Sequence, residues 1–105
     1  MTSQDQILKN IPQLALQCAL ENQIDEVCGS RIYGISEPWQ KGELRKHPSV
    51  TIVADSQSLE RAVASPEFEF IYVPVDAPIT HAITRSILQR NPLNKNIFWE
   101  QKVGD

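Results

Sequence analysis

The chain has little of what marks the easily recognised protein classes. It carries two cysteines, Cys18 and Cys28, with no Cys-x-x-Cys pair and no cysteine–histidine cluster. That argues against a zinc centre or a disulfide scaffold. Its four glycines are isolated, so neither common glycine-rich phosphate loop occurs. No apolar run approaches the roughly 18 residues of a membrane span. The opening segment lacks the basic and apolar regions of a secretory signal. Basic residues are not in excess either. Ten Lys and Arg against 13 Asp and Glu leave a net charge of −3, the wrong sign for the dense basic face of a nucleic-acid module.

What is present suits one domain spanning the whole chain, residues 1–105, with 41% hydrophobic and 22% charged residues. A chain of this length buries enough surface for a modest core without staples. A first helix is expected over residues 3–27, broken or kinked near Pro12, with Gly29 as its stop. In such a helix Cys18 and Cys28 lie about 15 Å apart along the axis, too far for a disulfide. Two unpaired thiols fit a reducing cytosol, so the expected location is cytoplasmic.

Residues 31–36 read as a strand. Residues 37–49 carry prolines near both ends, a central glycine and mixed charge, and read as a long surface loop, a kind of segment that is often functional. Residues 50–54 are apolar on both faces, as in a central strand. Asp55 then caps a short helix over 57–64, with Leu59, Ala62 and Val63 inward. Residues 68–73 form the strongest strand, with Phe68, Phe70 and Tyr72 on one face. Asp76 and Pro78 open a helix whose buried stripe is Ile79, Ala82, Ile83, Ser86 and Ile87, leaving His81 and Leu88 outward. Residues 96–101 read as a final edge strand. The order is α-β-loop-β-α-β-α-β. It predicts an α/β fold, a four-stranded, mostly parallel sheet with helices packed on it.

Ligands of open parallel sheets bind beyond the carboxyl ends of the strands. Asp55 and Asp76 fall there. Together they are a candidate metal or anion site, such as a carboxylate pair holding Mg²⁺ for phosphoryl chemistry. Capping alone also accounts for both, because each precedes a helix. Neither histidine has a nucleophile placed beside it by the sequence pattern, and no cofactor motif occurs.

The loop offers Trp39 beside Arg45 and Lys46. Tryptophan and arginine are enriched at binding hot spots. Leu88 on the outer helix face and Trp99 on an apolar edge strand extend the candidate surface. The leading expectation is a non-catalytic, cytosolic accessory or regulatory protein that binds another protein, or a second copy of itself, through Trp39, Arg45, Lys46, Leu88 and Trp99. The alternatives are a metal-dependent hydrolase or phosphotransfer domain using Asp55 and Asp76, and a small-ligand sensor with its pocket at the carboxyl rim.

Overall fold

The computed structural model describes residues 13–92 and 94–101. The start of the expected first helix therefore lies outside the described residues, with its break at Pro12. The elements in chain order are α1 (Gln13–Glu21), β1 (Gln23–Val27), β2 (Ser30–Ile35), α2 (Pro38–Lys46), β3 (Val50–Ile52), α3 (Ser56–Ala64), β4 (Phe70–Val73), α4 (His81–Arg90) and β5 (Asn96–Glu100). The α/β class holds, but the sheet has five strands, not four, in the order β1-β2-β5-β4-β3. Strands β2, β5, β4 and β3 run parallel, and β1 adds antiparallel to β2.

The extra strand comes from the second half of the expected first helix. Asn22 ends α1: its side-chain amide donates to the Cys18 carbonyl at 2.7 Å. The chain then reverses at Cys28 and Gly29, with φ of 51° and 88°. Two consecutive left-handed residues make the turn whose twist suits a two-residue hairpin, so residues 23–27 pair with β2 instead of continuing the helix. Gly29 is a turn residue, not a helix stop, and a side chain there would also strike Asn94. Cys28 is exposed at this turn, and both thiols are free. The helical-rise argument about their separation no longer applies.

Three other expectations are corrected. Residues 37–49 are not a loop, because α2 occupies most of them. Pro38 sits in its first turn, where a missing N–H costs nothing. Burial of Leu44 offsets the cost of a mid-helix Gly42. Secondly, β3 is an edge strand of three residues, with Ile52 exposed. Thirdly, β5 is no edge. It lies between β2 and β4, pairing Phe98 with Tyr33 on one side and with Tyr72 on the other.

Strand alternation divides the core in two. One face of the sheet packs Ile32, Ile71 and Ile97 against Leu59 and Val63 of α3 and Ile87 and Leu88 of α4. The opposite face packs Tyr33, Phe70, Tyr72 and Phe98 against Ala15, Leu16 and Ala19 of α1 and Leu44 of α2. Helix α3 follows its sequence pattern: Asp55 accepts from the Ser58 N–H at 2.8 Å, Ser58 reciprocates, and Leu59, Ala62 and Val63 are buried.

Helix α4 departs from the expected pattern. It begins at His81, not after Asp76, and Thr80 caps it by accepting from the Ile83 N–H. With Ile79 outside the helix, the buried stripe is Thr84, Ile87 and Leu88, rotated from the expected one. Thr84 can face the core because its hydroxyl donates to the Thr80 carbonyl at 3.1 Å. Ala82, Ile83 and Ser86 are exposed.

Candidate functional site: the carboxyl rim and helix α2

The structure separates the predicted contact residues. Leu88 is fully buried in the aliphatic core. Trp99 is half-buried and, like Ala77, packs against the aliphatic cluster. Its indole and the His81 ring form a T-shaped pair, 5.9 Å between centroids. Trp39, Arg45 and Lys46 belong to α2, over the aromatic face, so Trp99 and α2 lie on opposite sides of the sheet. Trp39 and Lys46 are seven residues apart on one helix, two turns along the same stripe, and both are exposed, Trp39 at 43%.

Arg45 has a different role. Its Nη2 donates to Glu100 Oε2 at 2.7 Å, and the guanidinium carbon sits 5.3 Å from the centroid of the Tyr72 ring. The Tyr72 hydroxyl donates to the same Glu100 oxygen at 2.6 Å. Lys41, one turn earlier on α2, donates to the Gln101 carbonyl at 3.1 Å and lies 3.9 Å from Glu100 Oε1. This cluster pins α2 to the carboxyl end of the central strand.

Glu100 is only 7% exposed. Burial pushes its pKa upward, but the hydrogen bonds from Tyr72 and Arg45 and the charges of Arg45 and Lys41 outweigh it, so the carboxyl sits below the usual glutamate range. Burial, with Glu100 beside it, pushes the Tyr72 phenol well up. Sequence reasoning missed Glu100, Tyr72 and Lys41. The Lys41–Arg45 spacing of four is a visible signal of one helix face, but only once residues 38–46 are read as a helix.

The cluster borders a cleft of about 330 Å³ at the carboxyl ends of β3 and β4, walled by Arg45 and Asp76 over Ile52, Val53, Pro74 and Ala77. Strands β3 and β4 are neighbours, as a rim shared by Asp55 and Asp76 requires. Only Asp76 lines the cleft. Asp55 is spent on Ser58, whose backbone N–H and hydroxyl hold its carboxylate below the usual range. Asp76 caps no helix. Among the described residues no three His, Cys, Asp or Glu side chains converge on a point that could hold a metal ion.

A second polar cluster ties the hairpin edge to α4. Asp25 of β1 pairs with Arg85 and lies 3.5 Å from His81 Nε2. Burial raises the Asp25 pKa, but the hydrogen bonds from Arg85 and the Glu26 N–H, with the nearby positive charge, leave it lowered overall. His81 is therefore outward, as expected, but engaged by Asp25 and Trp99.

No helix among the described residues is long and apolar enough to cross a membrane. Compared with known proteins, the chain matches no family model, no curated protein and no solved structure.

Proposed function

We propose that this is a non-catalytic accessory or regulatory protein that binds another protein through the outer face of α2. The observation that carries the reading is Trp39. It is a large aromatic left 43% exposed on a helix that Leu44 and the Arg45–Glu100 pair fix to the sheet. A rigidly held aromatic gives contact area at low entropic cost, as hot-spot residues do. Glu43 and Lys46 share its stripe, so the indole stands beside one charge of each sign, and a partner segment with mixed charge suits the surface. Both sheet edges are poor templates for strand addition, since β3 is three residues long and β1 carries a register shift and two acidic residues. The reading places the protein in the cytosol, consistent with two free thiols.

The test pairs capture with reconstitution. A protein enriched from lysate is purified and titrated against wild type and Trp39→Ala, with the melting temperature of each recorded. Binding weakened about tenfold or more at an unchanged melting temperature supports the reading. A sharp fall in melting temperature makes Trp39 a core residue. Unchanged binding removes α2 as the interface, and concentration-dependent self-association of the purified chain would identify the partner as a second copy.

A further inference from the structure

The protein-binding reading leaves the carboxyl-rim cleft unused. Its uncharged lining is apolar, formed by Ile52, Val53, Ala54, Pro74 and Ala77. Its walls carry one cation, Arg45, and one anion, Asp76. Arg45 is already oriented: Glu100 holds one nitrogen and the Tyr72 ring lies beneath the guanidinium. A guanidinium has five N–H donors; Glu100 takes one from Nη2 and the Tyr72 hydroxyl is a second close partner, so donors remain for a ligand. Asp76 is exposed and makes no side-chain hydrogen bond among the described residues.

These charges select the ligand by elimination. A phosphate or other simple anion would meet the Asp76 carboxylate. A metal ion or simple amine would meet Arg45. A neutral apolar molecule would desolvate both charges without pairing either, which is costly. The main chain of an internal peptide segment offers neither full charge, and a chain terminus offers one of the two. A small zwitterion with an apolar body satisfies all three elements, and about 330 Å³ is at the low end of small-molecule sites.

We propose that the cleft binds a free α-amino acid with an apolar side chain. Its carboxylate lies on Arg45, its ammonium on Asp76 and its side chain on Val53, Pro74 and Ala77. The proposal is independent of the protein-binding reading. It also gives that reading an effector, because the ligand would contact the last turn of α2.

The experiment is a titration of the full chain, followed by amide NMR and calorimetry, with L-leucine, L-valine, L-methionine and L-phenylalanine. The controls are 4-methylpentanoate, which lacks the ammonium, isopentylamine, which lacks the carboxylate, and N-acetyl-leucine. At least one amino acid is expected to bind saturably, with the largest shifts at Val53, Ala54 and Ala77. Each control should bind roughly tenfold or more weakly, the scale of a lost charged hydrogen bond. Asp76→Asn, checked for an intact amide spectrum, should erase the preference for leucine over 4-methylpentanoate.

No saturable binding of any of the four amino acids at about 10 mM, a concentration at which even weak sites fill, would overturn the proposal. So would shifts confined to another part of the molecule, or an Asp76→Asn variant that keeps the preference. N-Acetyl-leucine binding as well as leucine would also overturn it, identifying a site for a chain carboxyl terminus.

Discussion

The two faces of the sheet are built from different materials. Under α3 and α4 the core is aliphatic: Ile32, Val53, Leu59, Ile71, Ile87 and Ile97 among others, joined by the buried Thr84 and by Lys95, which is buried near the end of α3 and donates to the Ser65 and Phe68 carbonyls. Under α1 and α2 it is aromatic, with Tyr33 and Phe70 each stacked or tilted about 6 Å from Phe98. That face also holds buried polar groups: Asn96, which accepts from Tyr33, Glu100, and the Gln40 amide, whose nitrogen and oxygen both lack a partner among the described residues. The aliphatic face rests on burial, which is non-directional. The aromatic face depends on named pairs whose loss leaves a buried group unsatisfied. The face with the polar network is also the one that carries the exposed tryptophan and the charged wall of the cleft.

The largest effect should come from the aliphatic face. Leu88→Ala removes a fully buried side chain and should cost about 2–5 kcal/mol of unfolding free energy. Denaturant unfolding measures this directly. A loss below about 0.5 kcal/mol would return Leu88 to the surface.

On the other face, Glu100→Gln should cost about 1–3 kcal/mol at neutral pH and change the acid limb of the stability curve. Because the folded-state pKa of Glu100 is lowered, its contribution is present above the unfolded value, roughly 4.3. It is lost as pH falls through the lower folded value, when Arg45 and Tyr72 lose their acceptor charge. The variant should show a flatter decline between about pH 5 and pH 2. Asp25 and Asp55, also lowered, contribute to the remaining slope. An unchanged acid limb would mean that the cluster contributes nothing to folding.

Gln40→Leu reverses the usual sign. It replaces an unpartnered buried amide with an apolar side chain of similar size and should stabilise by about 1 kcal/mol or more. Calorimetric melting checks it, and a lower melting temperature would show that the amide is satisfied in solution.

The smallest effect is Gly42→Ala. A methyl group at Gly42 meets nothing within 4 Å, so the helix should gain about 0.5–1 kcal/mol. Destabilisation would mean that residues 38–46 are not helical in solution.

Local signals carried part of this fold a long way. Asp55 and Ser58, with Leu59, Ala62 and Val63, are cap and stripe within a dozen residues, and α3 follows them. Phe70 and Tyr72 alternate with Ile71 and Val73 as β4 requires. The failures share a cause: each was decided by a partner distant in sequence. Residues 23–27 are a strand because β2 pairs with them. Residues 38–46 are a helix because Glu100, some 55 residues after Arg45, and the aromatic face hold them. Asp76 stands in a loop because Thr80, four residues on, is the cap.

The candidate site was legible as residue types but not as a constellation. Arg45 and Asp76 were each singled out, on separate grounds, and only the folding of α2 over the ends of β3 and β4 brings them to one cleft. Trp39 is exposed, whereas Leu88, expected on the outer helix face, is buried and Trp99 is half-buried in a central strand, since burial depends on which helix face and which sheet position a residue receives.

By itself the sequence determined the α/β class, the parallel strand–helix alternation from β3 to β5 and the capped helix α3, because those follow from periodicity and capping within a few residues. Strand order, the β1 hairpin, the central place of β5 and the pairing of Arg45 with Glu100 were decided only by the tertiary structure. Each depends on contacts between distant segments, whose free energy exceeds the small local preferences of the chain.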